Sequence, residues 1–408
     1  MKNLLNNSLC PIKPETYLTL LIFLAPLLNF LSGITFDLYT PSMPALADYY
    51  SASMTAIKNT VTVTLIGYAI GCLIAGVLLD TFGRRRIILL ALLSYAIVSL
   101  IAMFCQSIEQ LMIVRCLQGL LVANVSVGCR AIIVDSFTGH RYIIALLYAS
   151  LAYGFGPIVG PFIGGILQYH FGWKMNFFAY ALFGMILFLI FAVYVNETIP
   201  ARQTFSLNRL LKNYVIILKH PIFTATILIG GFCNIQLFTY STIGSFIVEN
   251  TLQRSAILYG NTALLVGCCY LAGVLTNRFF VKKFHSHHLT HTGFCLIILG
   301  VIIQLSFAWL STLNLFTLIF PIMIVCYSQG FIFPNILGRS LKIFPNQAGV
   351  ATSILYCLVI SISGLGIFAM NHINVDNLAN LAYIFLFLLI VQLIVFYGTG
   401  LSRLEKHV

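Results

Sequence analysis

Apolar and polar positions along this chain are arranged in blocks. Runs of roughly 20 apolar residues recur, broken by short polar stretches. Each run is long enough to cross a hydrocarbon core of about 30 Å as an α-helix. Twelve such spans are predicted. The first six cover 17–38, 55–79, 87–105, 109–134, 142–168 and 174–195. The second six cover 222–248, 256–279, 290–309, 313–337, 347–370 and 379–401. The stretch between the two sets is polar and basic. The expected organisation is an N-terminal six-helix bundle over 1–195, a cytoplasmic basic linker over 196–221 and a C-terminal six-helix bundle over 222–408. Two sets of six suggest an internal duplication. A β-barrel would alternate in strands of about ten residues, and no such alternation is visible.

Composition agrees with this pattern. The 408 residues are 60% hydrophobic and only 8% charged, where a soluble domain carries about a quarter charged residues. Too little polar surface exists to coat a soluble particle, so the class is an all-α polytopic membrane protein. The net charge of +12 invites a nucleic-acid reading, but the placement of the cations is explained by topology, and no nucleic-acid partner is expected. With the N-terminus inside, all but Lys58, Lys174, Arg254 and Arg115 of the 22 Lys and Arg residues fall in inner loops, in tails or at an inner helix end. The positive-inside bias then makes both termini cytoplasmic. Of the 11 cysteines, all but Cys10 lie in apolar runs without framework spacing, and no disulfides are implied. Positions 1–15 read as a short polar tail followed directly by a span, without a signal-peptide pattern.

The junction between spans 2 and 3 orients everything else. Gly76, Asp80, Gly83 and the consecutive Arg84, Arg85 and Arg86 sit in a connection too short for a domain. Three arginines cannot lie in hydrocarbon. The glycines permit close helix approach and a tight turn. Asp80 can face a helix N-terminus or a basic partner in one state and release it in another. This is the reading as a conformational latch; the plainer one is a loop that only sets topology. The loop between spans 8 and 9 is a degraded counterpart: Asn277 stands where the acid would be, and Arg278, Lys282 and Lys283 keep the cations.

Few groups could carry ion chemistry in the bilayer. Asp37 sits in the last turn of predicted span 1. A carboxyl group held away from water can take up and release a proton near neutral pH, which is what proton coupling needs. The alternative is a solvated acid at the outer end of the span. Asn29 lies eight residues earlier, about 80° around the same helix, so both could border one cavity. Arg115 is the most costly residue in the bilayer. It reads as a counter-charge to the proton site or as a holder of an anionic substrate group; otherwise it snorkels to the outer boundary. Gln118 is one turn away and can share its cavity. In span 5, Gly156, Gly160 and Gly164 recur on one face, letting another backbone approach closely, while Pro157 and Pro161 permit bending. Gly67, Gly71 and Ala75 form a similar stripe in span 2, read as packing. Among 33 Phe and 20 Tyr, most are bulk or interfacial anchors; Tyr39, Phe238 and Tyr240 are candidates to line a pocket and hold planar or cationic compounds.

The chain resembles a known family at several points. Gly76, Asp80, Gly83, Arg84 and Arg85 match the signature after span 2 of the major facilitator superfamily. Asp37 ends span 1, and Tyr39, Pro41 and Pro44 follow it. Arg115, Gln118, Gly119, Arg130 and Asp135 lie along span 4, and the Gly-Pro stripe with Trp173 and Phe177 marks span 5 and its end. Weaker matches are Tyr240 with Phe246 in span 7, and Phe333, Pro334 and Asn335 in span 10. Together they resemble the bicyclomycin/chloramphenicol-resistance branch of the twelve-helix drug:proton antiporters. The resemblance implies two pseudo-symmetric six-helix bundles, export of drugs or small metabolites by alternating access, and a monomer in the bacterial inner membrane. It also implies that span 5 lies where the halves meet and is tied to export direction. Some members carry a second acid in span 1; Asn29 cannot titrate.

Other chemistries are not expected. His285, His287, His288 and His291 cluster between spans 8 and 9, where His287 and His291 have a spacing that would suit a metal on a helix. No acid or cysteine is near, so a solvated loop without metal is expected. No phosphate-binding Gly-Lys-Thr/Ser loop is present, so transport would draw on an ion gradient, with no cofactor. The partners expected are a small-molecule substrate, protons and lipid. A carrier for an anionic metabolite or metallophore is the competing cargo assignment. An intramembrane enzyme would need a nucleophile with a base or a metal triad on facing spans, and neither is found.

Overall fold

A computed structural model describes residues 14–199, 215, 217–281, 283–310, 313–341, 343, 348–373, 378–399 and 401. Most of the predicted linker lies outside these residues, as do Lys2, Lys13, Arg202, Arg209, Lys212, Lys282, Lys342, Arg403 and Lys406. The described chain is helical and contains no strand. Two compact units meet in sequence between Ser206 and Leu207.

Unit 1 contains α1 (Pro14–Asp37), a 3-10 turn (Thr40–Ser42), α2 (Met43–Tyr50), α3 (Met54–Phe82), α4 (Arg84–Ala102), α5 (Ile108–Ser136), α6 (Gly139–Phe171) and α7 (Lys174–Tyr194). Unit 2 contains α8 (Pro221–Phe246) with a terminal π turn (Ile247–Thr251), α9 (Ala256–Phe280), α10 (Ser286–Leu310), α11 (Leu315–Leu341), α12 (Ala348–Asn371) and α13 (Leu378–Gly398). Among the described residues, 12 segments are long and apolar enough to cross a membrane.

The two units repeat one pairing scheme. In unit 1, α3 packs on α5, α1 on α6, and α4 on α7 and α5. In unit 2, α9 packs on α11, α8 on α12, and α10 on α13 and α11. Each pairing has its counterpart six spans later, the physical trace of the duplication expected from the two sets of six. Glycines allow the closest of these contacts. A Cβ on Gly67 would collide with the Cys116 carbonyl, and one on Gly273 would collide with the Tyr327 carbonyl, at matching places in the two units. Without a hydrophobic drive between helices in lipid, such backbone contact is what holds spans together.

Helix ends depart from the predicted edges in ways that matter. α3 runs on to Phe82 and α4 starts at Arg84, so the junction shrinks to Gly83 alone. Gly83 has φ +100° and ψ +147°, a region essentially restricted to glycine. α10 begins at Ser286, so His287, His288 and His291 lie on a helix and not in the loop expected from sequence. Helix capping by its Ser107 hydroxyl starts α5, accepting from the Gln110 amide. Lys58, assigned by sequence to the outer side, is buried within α3.

Candidate functional site

The last turn of α1 organises the interior of unit 1. A helix end leaves its final carbonyls without intrahelical partners. α1 stops at Asp37, and three other elements supply those partners. Arg115 Nη2 donates to the Thr35 carbonyl at 2.8 Å. The Tyr180 hydroxyl reaches the Thr35 carbonyl at 3.1 Å and that of Ile34 at 3.2 Å. The Thr40 hydroxyl donates to the Asp37 carbonyl at 2.7 Å. A cation at a helix C-terminus also meets the negative end of the macrodipole. This explains how α5 tolerates Arg115 at 0% exposure: the helix end offsets its desolvation, and it does not snorkel.

The other terminal nitrogen of the guanidinium is held as well, while Nε is buried without a hydrogen-bond partner among the described residues. Nη1 donates to Gln118 Oε1 at 2.8 Å, and Gln118 Nε2 donates to Ser99 Oγ at 2.8 Å. The guanidinium carbon lies 4.1 Å from the Tyr39 ring centroid and 5.8 Å from that of Tyr180, so two electron-rich faces share its charge. The Tyr39 hydroxyl meets Thr60 Oγ1 at 2.6 Å. The Thr35 hydroxyl donates to Leu31 O, so the Tyr95 hydroxyl, 2.8 Å from it, is the donor of that pair. Asp37 is 1% exposed and interacts electrostatically with both Tyr39 and Tyr180. Asp37 therefore acts electrostatically on the two tyrosines whose rings lie over Arg115. Asp37 is buried in unit 1, contrary to the solvated alternative.

The stripe on α6 seats this end of α1. A Cβ on Gly156 would collide with the Gly33 backbone, one on Gly160 would stand 3.2 Å from Leu38 N, and one on Gly164 would strike the Leu38 carbonyl. The glycine face thus meets α1, on the same helix that bears Pro157 and Pro161. Asn29 is not part of the Asp37 cluster. It donates to the Ala149 carbonyl at 3.2 Å and accepts from Ser126 Oγ at 2.8 Å, tying α1 to α6 and α5. In unit 2, Phe238 and Tyr240 are both buried. Tyr240 belongs to that unit's main apolar cluster and pairs with Thr262 at 3.0 Å.

A second polar cluster surrounds Gly83. Arg84 pairs with Asp80 through Nη1, and its Nε donates to Asp135 Oδ2 at 3.1 Å. The Asp80 end is open and the Asp135 end is largely buried, so the arm to Asp135 is less screened. Glu197, beyond α7, accepts from the backbone N–H groups of Arg84 (2.9 Å), Thr198 (3.0 Å) and Ile199 (3.2 Å). Thr198 Oγ1 donates to Asp135 Oδ2 at 3.3 Å. Arg85 caps the end of α7 through the carbonyls of Val195 (2.6 Å) and Ala192 (2.7 Å). Gly76 plays no packing part here: among the described residues, a Cβ on it would meet nothing within 4 Å, against the close approach expected. An open pocket of about 440 Å³ beside Arg85, Arg86 and Glu197 is separate from the Arg115 cluster. The counterpart in unit 2 is neutral: Asn335 on α11 donates to Asn277 Oδ1 on α9 at 2.8 Å.

Sequence reasoning missed Thr35, Tyr95, Tyr180 and Ser99. Nothing marks an orphan helix carbonyl or a single interior tyrosine among so many aromatics. It gave Asp135 no partner and did not single out Glu197; an acid in the polar stretch after span 6 was the available signal. Among the described residues, no group of three His, Cys, Asp or Glu side chains gathers to hold a metal.

A family model described as Major Facilitator Superfamily matches residues 27–368. An uncharacterised transporter of Rickettsia felis is 28% identical over 393 residues, covering 92% of this chain and 95% of its own. A bicyclomycin resistance protein homolog of Haemophilus influenzae is 27% identical over 347 residues, covering 81% and 83%. The multidrug transporter MdfA of Shigella boydii is 28% identical over 260 residues, covering 62% and 63%. Among solved structures, a D-xylose-proton symporter aligns with a TM-score of 0.76 at 14% identity, covering 95% of this chain and 99% of that one. The human organic anion transporter MFSD10 aligns at 0.67 and 17%, covering 95% and 100%.

Proposed function

This chain belongs to the Major Facilitator Superfamily of secondary transporters, and we propose that it exports drugs or small metabolites across the bacterial inner membrane in exchange for protons. The observation that carries the reading is the burial of Asp37 at the end of α1, beside rings that also hold Arg115. In this mechanism Asp37 releases its proton to the inner side as cargo binds and regains one from the outer side. Arg115, held at the α1 terminus, sets the charge balance of the ionised state. Tyr39 and Gln118 shape the neighbourhood of the site, while Phe238 and Tyr240 are buried within unit 2. The stripe Gly156, Pro157, Gly160, Pro161 and Gly164 acts as the gating helix, because bending α6 shifts the α1 end that it seats. The Asp80–Arg84–Asp135 cluster, with Gly83 and Arg85, acts as the latch, and Gly76 has no packing part in it. Both termini lie in the cytoplasm, and the carrier works as a monomer without a bound cofactor.

The names of the relatives in Haemophilus influenzae and Shigella boydii support drug export. The buried Arg115 favours a second reading, carriage of an anionic metabolite or metallophore. Against it, Nη1 and Nη2 already serve Gln118 and Thr35.

The test uses proteoliposomes loaded with a pH-sensitive dye. Addition of the lipophilic cation tetraphenylphosphonium is expected to drive proton movement with the wild type and none with D37N. Coupling that persists in D37N removes Asp37 from the mechanism. Proton movement with organic anions and not with the cation selects the second reading.

A further inference from the structure

We infer that Glu249, in unit 2, is a second exchangeable-proton site. It rests on the proton-exchange reading only for its place in transport; the site itself stands on geometry within unit 2.

Glu249 lies in the π turn Ile247–Thr251 that ends α8. Sequence reasoning had ended this span at 248, leaving the acid at a boundary. The helix instead continues, and the Leu252 N–H closes onto the Ile247 carbonyl at 2.8 Å while the Arg254 N–H reaches the Val248 carbonyl at 2.9 Å. Single π turns recur at functional sites because they turn a side chain away from the face an α-helix would give it. Ile247 and Val248 are buried at 2% and 0% and anchor the turn, and Glu249 itself is half-buried. Its Oε1 is buried and, among the described residues, has no hydrogen-bond partner. An ionised carboxylate with such an oxygen is disfavoured unless a cation joins it; a proton is the smallest that fits.

The π turn packs on α8 and α9. Those two helices carry the ionisable groups Cys233, Tyr240, Tyr259, Cys268, Cys269, Tyr270 and Arg278; Tyr240 pairs with Thr262, and the Tyr259 hydroxyl donates to the Ser241 carbonyl at 2.8 Å. Arg254, just beyond the turn, is exposed. Among the described residues no ion pair reaches Glu249.

The duplication adds an independent argument. In the shared pairing scheme α1 with α6 corresponds to α8 with α12. Asp37 is the last residue of α1 and Glu249 lies in the terminal turn of α8. Each unit therefore carries an acid at the same end of its equivalent helix, Asp37 buried and Glu249 half-buried.

The test is infrared difference spectroscopy of the reconstituted full chain, titrated across neutral pH. Wild-type protein is expected to show carboxylic C=O bands that disappear as pH rises. E249Q is expected to lose one of them and to keep the band that D37N loses. Glutamate labelled with carbon-13 at the side-chain carboxyl, in the wild type, should shift the Glu249 band and leave the Asp37 band in place, a readout that needs no variant to fold. Superimposable difference spectra for wild type and E249Q, or the absence of any shifting glutamate band, overturn the proposal. Loss of the band at fixed pH when sodium chloride replaces choline chloride overturns the proton assignment in favour of a metal cation.

Discussion

Arg115 shows how a single side chain is made tolerable in hydrocarbon. Two hydrogen bonds, two aromatic faces and a helix C-terminus converge on it, and its geometry depends on a planar, forked cation. Lysine keeps the charge and loses the fork. Arg115→Lys should lower stability by about 1–3 kcal/mol and reduce transport at least tenfold, measured by thermal unfolding in detergent and by the proteoliposome assay. The Tyr39 ring should matter more than its hydroxyl. Tyr39→Phe removes the bond to Thr60, worth about 1 kcal/mol, and keeps the ring over the guanidinium. Tyr39→Ala removes both and should cost about 3–5 kcal/mol. Equal unfolding temperatures for the two variants would mean that the ring contact adds nothing. Asp37, by contrast, was legible from sequence, because an acid near the end of an apolar run has few benign explanations.

Among elements, the junction of α3 and α4 divides the roles of two glycines that sequence treats alike. Gly83 carries a backbone conformation closed to other residues and abuts the Glu197 carboxylate. Gly76 sits in a helix with open space beside it. Gly83→Ala should destabilise by about 1–3 kcal/mol, while Gly76→Ala should be neutral or stabilise by up to about 1 kcal/mol. Thermal unfolding of the two variants side by side checks the contrast; equal losses would contradict it. The motif spacing was readable because Arg84 must reach one turn back to Asp80 on a near-continuous helical path. The reach to Asp135 on α5 and the clasp by Glu197 were not, because they join residues far apart in sequence.

For the whole molecule, the charge distribution predicts an orientation. Gly172, in the turn between α6 and α7, should lie outside, and Phe284, between α9 and α10, inside. In a cysteine-free background, a membrane-impermeant maleimide applied to intact cells should label Gly172→Cys and spare Phe284→Cys. The reverse pattern would invert the topology and with it the direction assigned to proton flow. The same scale explains why Glu249 went unrecognised: its role emerges from the equivalence of α1 and α8, which is a property of the two pairing schemes and not of local sequence.

What the amino-acid sequence determined by itself was everything that follows from transfer between water and hydrocarbon. The number of spans, the approximate ends of each and the cost of Asp37 and Arg115 are all properties of short windows. Tertiary structure alone decided which groups meet. It brought Arg115 to the orphan carbonyls of α1, seated that end on the glycines of α6, put Asn29 among packing residues and joined Arg84 to Asp135. Partner choice depends on helix rotation and on contacts between distant segments, and neither leaves a local periodic signal. The bilayer is read along the chain; the chemistry is assembled across it.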